Sequence, residues 1–185
     1  MLDKIDLLIL DVDGVMTDGR IIYDSRGVDV KEFDVLDGQA VRYWLRAGHK
    51  AAILSGRASR TIRIRAKDIG IDAVYENAKD KLPVFEKALK RFGRTADRVC
   101  CIGDDLPDLP LLAQAGFAVA TAGAAAEVKR IAHYVTCHRG GAGAVREVIE
   151  LVLKYQGRWD EILDRYTSQL PADLPASRRP RRSDQ

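Results

Sequence analysis

Two aspartates, Asp11 and Asp13, stand directly after the apolar segment 5–10, whose sequence is IDLLIL. An unbroken apolar run of this length is typical of a strand that is buried on both faces of a parallel sheet, and ligands bind at the carboxyl ends of such strands. Two carboxylates this close repel each other unless a cation or a shared proton lies between them. The pattern therefore predicts either a Mg²⁺ site or a shared proton, with an acidic turn of no chemical function as the alternative.

A second acidic cluster, GDDLPD at residues 103–108, follows another apolar segment, residues 99–102. Because the carboxyl ends of parallel strands lie at one edge of a sheet, these carboxylates would join the first pair and add the oxygen ligands that a hard cation prefers. Asp105 or Asp108 could instead cap a helix that begins near Pro107. Acidic clusters at two separate strand ends favour metal-dependent chemistry.

Groups that suit a phosphate follow a third apolar segment, Lys50–Leu54. They are the Ser55 hydroxyl, the Gly56 backbone N–H and the Arg57 guanidinium. Hydroxyls, exposed N–H groups before a helix and guanidinium groups are donors that bind phosphate oxygens. These donors would face the carboxylates across the same edge of the sheet.

Two lysines, Lys79 and Lys81, follow the apolar segment 72–75 and stand near the start of a helix. A cation gains nothing from the helix dipole at that end, so we expect one of the two to bind an anion. Exposed lysines without a function are the alternative, and position alone does not choose between the two residues.

The segments that must position these groups alternate along the chain between continuous apolar runs, typical of buried strands, and segments with the apolar spacing of a helix. Between the strand-like runs, apolar residues recur at the spacing of a helix face, as in Val41, Trp44 and Leu45. This alternation predicts an α/β fold, a doubly wound, Rossmann-like and mainly parallel sheet with helices on both faces. The five strand-like runs are residues 5–10, 50–54, 72–75, 99–102 and 117–120.

Residues 20–34 interrupt the alternation. Two β-prone segments, 20–24 and 28–33, flank a turn-forming Ser-Arg-Gly sequence, which predicts a projecting β-hairpin. The intervals between the chemical motifs leave no room for a separate cap domain. We expect residues 1–169 to form one domain and the Arg-rich residues 170–185 to be a disordered basic tail.

The composition is typical of a soluble globular protein. Of the 185 residues, 46% are hydrophobic and 31% are charged, and the formal net charge is only +3. These values argue against a disordered chain and against a broad basic surface for nucleic acid. The first residues, MLDKIDLLIL, lack a secretory signal, and no segment approaches the roughly 20 apolar residues of a membrane span. We therefore expect a cytoplasmic protein without nucleic-acid or membrane partners.

Taken together, the motifs resemble those of a known family. In order along the chain, Asp11-x-Asp13-Gly14, Ser55, Lys81 and Gly103-Asp104-Asp105-x-x-Asp108 resemble the four motifs of the haloacid dehalogenase superfamily of phosphotransferases. The stretches DVDGVMTDGRIIY, ILSGR and GDDLPDLPLL are similar to its small capless branch, which acts on sugar-acid phosphates. The resemblance extends to about residue 155 and favours Lys81 over Lys79.

The resemblance implies a role for each motif residue. Asp11 would attack phosphorus and become an aspartyl-phosphate, while Asp13 would protonate the leaving oxygen and then deprotonate the attacking water. Mg²⁺ would be held by Asp11, Asp13 and Asp104, with Asp13 contributing its backbone carbonyl. Ser55 and Lys81 would hold the phosphoryl oxygens.

The resemblance also implies a substrate, a small phosphorylated sugar acid. The first expectation is 3-deoxy-D-manno-octulosonate 8-phosphate of lipopolysaccharide precursor synthesis; a nonulosonate 9-phosphate, or a non-catalytic regulatory module of the same fold, is the alternative. Arg63 and Arg65 could equally lie on a solvated helix face. The candidate substrate-binding residues are Thr17, Gly56, Arg57, Arg63 and Arg65, and the candidate supporting residues are Asp105 and Asp108.

The predicted hairpin carries more apolar side chains than an isolated two-stranded ribbon sustains in water. An uncapped site at a sheet edge would also be open to solvent. Because the capless phosphatases that this chain resembles form tetramers, we expect a homotetramer in which the hairpins pack together and a neighbouring subunit closes each site. The apolar residues concerned are Ile21, Ile22, Tyr23, Val28 and Val30.

Overall fold

The computed structural model describes residues 1–71, 73–171, 173 and 175. The strands are β1 (Leu7–Leu10), β2 (Ile22–Tyr23), β3 (Asp29–Val30), β4 (Lys50–Leu54), β5 (Ala73–Tyr75), β6 (Val99–Gly103), β7 (Phe117–Ala120) and β8 (Tyr134–Val135). The helices are α1 (Val35–Arg46), α2 (Arg60–Ile69), α3 (Lys81–Phe92), α4 (Leu109–Leu112), α5 (Ala126–Ile131), α6 (Ala144–Tyr155) and α7 (Trp159–Thr167). Short 3₁₀ turns lie at Leu2–Lys4, Ala96–Arg98 and Leu106–Asp108.

Six strands form one parallel sheet in the order β5-β4-β1-β6-β7-β8. From β1 the chain builds outward through β4 and β5, and it then returns to build the other half from β6 through β8. The order reverses between β1 and β6, so a crevice opens beyond the carboxyl ends of these two strands, where ligands bind in such folds. The first and second acidic clusters lie at this point.

The hydrophobic core has two layers, one on each face of the sheet. Leu8 and Leu10 of β1 pack with residues of α1, α2 and α6, whereas Leu7 and Ile9 pack with residues of α3, α4 and α5. Alternate side chains of β1 therefore enter opposite layers, and all four are buried. This explains why the strand is apolar at every position and does not alternate with polar residues.

The predicted doubly wound fold with helices on both faces and no cap domain is confirmed. The helix expected near Pro107 is interrupted, because the 3₁₀ turn Leu106–Asp108 precedes α4. The sequence analysis missed β8, which has two residues. The predicted tail, residues 170–185, lies largely outside the described residues.

Residues 20–34 include the predicted hairpin. Its strands β2 and β3 pair antiparallel, with Ile22 opposite Val30. The apolar side chains of the hairpin are exposed, including Ile22 at 41% and Tyr23 at 56%. The hairpin also contacts the domain, because the Thr61 hydroxyl of α2 donates to the Asp29 carbonyl over 3.2 Å.

Helix α6 begins without a capping side chain of its own. Asp37, in the first turn of α1, supplies the cap: its carboxylate accepts from the Arg146 N–H at 2.8 Å and from the Gly143 N–H at 3.3 Å. The loop before α6 then lies against the loop after β1, since the Gly141 N–H donates to the Val15 carbonyl at 3.1 Å. The capped helix α6 therefore helps to hold the loop after β1, which carries the first acidic motif, in place.

Among the residues that the structure describes, none of the helices combines the length and the apolar character that a membrane span requires.

Candidate active site

Asp11 is the first residue after β1, and its carboxylate is 9% exposed. The ammonium of Lys81 lies 2.7 Å from Asp11 Oδ1 and 2.6 Å from Asp108 Oδ1. Lys81 is the first residue of α3, so the start of that helix delivers the cation to the ends of β1 and β6. The structure thus brings together three residues that the sequence predicts for one site.

Asp104 follows β6 and completes the acidic cluster. Carboxylate oxygens of Asp11, Asp104 and Asp108 lie within 4.8 Å of one another. The backbone of Gly14 turns beside Asp104 with a φ of +94°, and a Cβ there would lie 2.0 Å from Asp104 Oδ2. A side chain at position 14 would therefore displace a carboxylate of the cluster.

Asp108 has hydrogen-bonding partners at both of its oxygens. While Oδ1 accepts from Lys81, Oδ2 accepts from the N–H groups of Asp104 and Asp105, at 3.1 and 3.4 Å. These bonds fix the loop after β6 and orient Lys81 toward Asp11. The structure thereby gives Asp108 the geometry of the supporting residue that was predicted, while the Asp105 side chain lies at the cavity wall.

The titration of the cluster reflects its excess negative charge. Burial raises the pKa of Asp11 to about 6, with the Asp108 carboxylate as the next cause. Burial also raises the pKa of Asp104 to about 7, and the charges of Asp11 and Asp108 add to that shift. Burial alone would lower the pKa of the Lys81 ammonium, but Asp11 and Asp108 outweigh it and raise that pKa. One ammonium therefore does not neutralise the cluster.

The donor set fits a hard divalent cation. It consists of carboxylate oxygens, which Mg²⁺ prefers, and their raised pKa values show that a further positive charge would be stabilising here. Asp11 and Asp104 were both predicted as metal ligands. Among the described residues, the Asp13 carboxylate is not part of this cluster.

The Asp13 side chain contacts a residue that the sequence analysis missed. Lys31, just after β3, places its ammonium 2.5 Å from Asp13 Oδ1. On the other side, Arg57 Nε lies 4.0 Å from Asp13 Oδ2. The only sequence signal for Lys31 is its place on the second strand of a hairpin that returns toward β1.

A cavity of about 500 Å³ opens over the cluster. Ser55 is 1% exposed and is not among the residues that line the cavity, although Gly56 and Arg57 are; its hydroxyl accepts from the Arg57 N–H at 3.2 Å. The Arg57 guanidinium donates to the Tyr23 hydroxyl of the hairpin at 2.7 Å, and Lys79 lines the cavity beside Lys81. The residues that line the cavity include Asp11, Asp13, Gly56, Arg57, Lys79, Lys81, Asp104 and Asp108.

Three predicted substrate-binding residues do not line this cavity. The Thr17 hydroxyl is buried and donates to the Val12 carbonyl, so it braces the loop after β1. Arg63 pairs with Glu76, and Arg65 donates to the Asp34 carbonyl and to Asp68. Within one chain, each of these side chains is already engaged elsewhere.

Comparison with known proteins identifies the family. Residues 71–149 match the family model of the haloacid dehalogenase-like hydrolases. The chain is 42% identical over 155 residues to the 3-deoxy-D-manno-octulosonate 8-phosphate phosphatase of Yersinia pestis, and the match covers 84% of this chain and 83% of that one. This chain belongs to the haloacid dehalogenase-like hydrolases.

Solved structures resemble the chain over most of its length. The 3-deoxy-D-manno-octulosonate 8-phosphate phosphatase of Moraxella catarrhalis, in complex with a magnesium ion, a phosphate ion and KDO, matches with a TM-score of 0.87 at 37% identity, covering 89% of this chain and 95% of that one. The cobalt-bound phosphatase of Haemophilus influenzae matches with a TM-score of 0.82 at 38% identity, covering 84% and 91%.

Proposed function

We propose that this protein is a Mg²⁺-dependent cytoplasmic phosphatase that hydrolyses 3-deoxy-D-manno-octulosonate 8-phosphate in lipopolysaccharide precursor synthesis. The observation that carries the proposal is the buried Asp11 carboxylate, 2.7 Å from Lys81 Nζ and grouped with two further carboxylates at the switch point of the sheet. The substrate is proposed from the Yersinia pestis relative, which is named for it.

In the first step Asp11 is the nucleophile. An oxygen of its carboxylate bonds to phosphorus while the bond between phosphorus and the sugar oxygen breaks, and the electron pair of that bond goes to the sugar oxygen. Asp13 donates a proton to this oxygen, so the sugar acid leaves as an alcohol. The phosphoryl group is then an aspartyl-phosphate on Asp11.

In the second step water removes the phosphoryl group. Asp13, now a carboxylate, takes a proton from the water as its oxygen bonds to phosphorus. The bond between phosphorus and Asp11 breaks, the electron pair returns to the Asp11 carboxylate, and inorganic phosphate leaves. Asp13 holds a proton again, so the site is ready for another substrate.

Charge neutralisation accompanies both steps. Lys81, which stays protonated between Asp11 and Asp108, offsets the negative charge that develops on the phosphoryl oxygens. We assign to the Ser55 hydroxyl a further hydrogen bond to these oxygens. The side chains of Asp11 and Asp104 and the backbone carbonyl of Asp13 would hold Mg²⁺. When bound, Mg²⁺ neutralises the carboxylate cluster and polarises the phosphoryl group.

The carboxylate of the sugar acid needs a positive partner at the cavity mouth. Arg57 lines the cavity and is kept there by its hydrogen bond to Tyr23. A planar guanidinium binds a carboxylate through two parallel hydrogen bonds, so we assign the substrate carboxylate to Arg57.

We further propose a homotetramer. The hairpin exposes Ile21, Ile22 and Tyr23, and the single chain leaves the active-site cavity open. Hairpins that pack together from several subunits would bury these side chains. Neighbouring subunits would then close the sites.

A panel of phosphorylated sugar acids tests the substrate. kcat/KM is measured for 3-deoxy-D-manno-octulosonate 8-phosphate, a nonulosonate 9-phosphate and a hexose 6-phosphate, with Mg²⁺ and after chelation. We expect the octulosonate ester to give the highest value and chelation to abolish turnover. A higher kcat/KM for the nonulosonate ester would show that the nonulosonate 9-phosphate is the substrate. No turnover of any ester with Mg²⁺ present would favour a non-catalytic regulatory module of the same fold.

A further inference from the structure

Lys31 is a buried cation outside the acidic cluster. Its side chain has no exposed surface, and its ammonium lies 2.5 Å from Asp13 Oδ1 and 3.4 Å from Asp29 Oδ2. Lysine is almost never fully buried unless it is paired, because removing its charge from water is costly. The position of this lysine therefore depends on the two carboxylates that it contacts.

The local arrangement is not one that stability alone favours. Asp29 Oδ1 is buried and lacks a hydrogen-bond partner within the described chain. A buried ion pair is often no better for stability than apolar residues of similar size, and a buried acceptor without a donor is unfavourable. Departures of this kind from well-satisfied packing are expected where a residue serves function.

The two oxygens of Asp13 have different surroundings. Lys31 holds Oδ1, whereas Oδ2 lies on the side of the cavity-lining Arg57, 4.0 Å from its Nε. Strand β3, which directly precedes Lys31, is held against α2, because the Asp29 carbonyl accepts from the Thr61 hydroxyl at 3.2 Å. Lys31 is therefore an anchored donor that restrains one oxygen and leaves the other facing the cavity.

We propose that Lys31 is a positioning residue that fixes the Asp13 carboxylate through Oδ1, so that Oδ2 exchanges the proton with the leaving oxygen and the attacking water. This inference rests on the proposed phosphatase function. It also makes the hairpin part of the active site, since the contact between Lys31, which directly follows β3, and Asp13 in the loop after β1 sets the orientation of the acid–base group.

Comparing two substrates with different leaving groups distinguishes a misplaced Asp13 from general damage to the active site. A sugar alkoxide must be protonated as it departs, whereas p-nitrophenolate leaves as a stable anion and needs no acid. A misplaced Asp13 therefore slows cleavage of the sugar ester and spares cleavage of the aryl ester. A distorted nucleophile or metal site slows both.

The test uses Lys31→Met, which keeps an unbranched side chain and removes the ammonium. Single-turnover cleavage, with enzyme in excess and Mg²⁺ present, is measured for 3-deoxy-D-manno-octulosonate 8-phosphate and for p-nitrophenyl phosphate. We expect the sugar ester to be cleaved on the order of 10²-fold more slowly, within the range for general acid catalysis, and the aryl ester within about threefold of wild type. Arg26→Met, which removes an exposed cation from the same hairpin, should match wild type with both esters.

Equal slowing of both esters by Lys31→Met, or no slowing of either, would overturn the inference while the phosphatase function stood. Wild-type protein that cleaves neither ester would contradict the proposed function and the inference with it. If Lys31→Met does not fold, Lys31→Leu, which also removes the donor, is put through the same comparison, and the same two results would overturn the inference.

Discussion

At the scale of single residues, the acidic cluster has more negative charge than one lysine balances. Asp11, Asp104 and Asp108 converge within 4.8 Å, and among the residues that the structure describes Lys81 is the one cation that bridges two of them. The raised pKa values of Asp11 and Asp104 follow from this imbalance together with burial. Protons and Mg²⁺ must therefore compete for the same oxygens.

This competition predicts how Mg²⁺ stabilises the protein at different pH. The ordinary pKa of 3.8 rises on folding to about 6 for Asp11 and about 7 for Asp104, so the folded protein binds more protons across this window. Without metal, the free energy of unfolding consequently falls as pH rises from about 4 to about 7. Mg²⁺ at 100 times its Kd, which adds about 2.7 kcal/mol, should raise Tm by several degrees at pH 8. The same concentration should raise it much less at pH 5.5, as thermal unfolding would show.

Asp104→Asn serves as the control, because it removes one carboxylate of the cluster and should shrink the Mg²⁺ effect at pH 8. Equal Mg²⁺ shifts of Tm at both pH values in the wild type would mean that these carboxylates do not bind the metal.

Gly14 offers a second test at the residue scale. A Cβ at this position would lie 2.0 Å from Asp104 Oδ2, so Gly14→Ala should displace that carboxylate and lower both Mg²⁺ affinity and kcat at least tenfold. Gly27→Ala is a matched control, since Gly27 also has a positive φ, +75°, but its Cβ would meet nothing within 4 Å. Both variants carry a backbone cost of about 1–2 kcal/mol, seen in chemical unfolding. Unchanged Mg²⁺ affinity in Gly14→Ala would show that the Asp104 carboxylate is free to move aside.

At the scale of elements, α6 depends on α1 for its cap. Asp37 accepts from the N–H groups of Gly143 and Arg146, and both donors lose their partner in Asp37→Ala. We expect Asp37→Ala to lower the free energy of unfolding by about 1–2 kcal/mol in chemical denaturation. Asp37→Asn keeps an acceptor of the same size and should cost less, particularly because burial raises the pKa of Asp37 to about 6 and so disfavours its charge. Equal losses in the two variants would argue against a capping role.

The sequence predicts the elements that contain enough local information. Strands β4 and β7 match their predicted bounds because buried strand residues form an unbroken apolar run, which in β4 follows the exposed Lys50. Strand β8 was missed because two residues, Tyr134 and Val135, make no recognisable pattern. The cap from Asp37 escaped detection for a different reason, since its partners lie more than 100 residues away.

The same distinction applies to the site. The strand-end positions located Asp11 and Asp104, because carboxyl ends of parallel strands meet at one edge, whereas the family resemblance was needed to choose Lys81 over Lys79. Neither signal located Lys31, whose partner Asp13 is 18 residues away across a hairpin. Nor could either show that Arg65 would turn to the Asp34 carbonyl, because side-chain direction depends on packing that no spacing rule contains.

At the scale of the whole molecule, the exposed hairpin and the open site predict assembly. Ile21→Asp with Ile22→Asp should give smaller species than wild type in sedimentation and lower kcat/KM together, because a neighbour would no longer close the cavity. Ile131→Asp is a matched control, since Ile131 on α5 has 40% exposure against 41% for Ile22 but lies away from the hairpin. A fully active wild-type monomer at micromolar concentration would contradict the proposed tetramer.

Asp11 is the residue that receives the phosphoryl group in the proposed mechanism, and trapping that group on Asp11 tests the mechanism most directly. The Asp13→Asn variant, which lacks the base for the second step, is mixed with Mg²⁺ and p-nitrophenyl phosphate, whose leaving group needs no acid in the first step, and is then quenched in acid and digested for mass spectrometry. We predict a phosphoryl group on Asp11, and none in the variant that also carries Asp11→Asn. No trapped phosphoryl group in Asp13→Asn, together with full turnover by Asp11→Asn alone, would contradict the account.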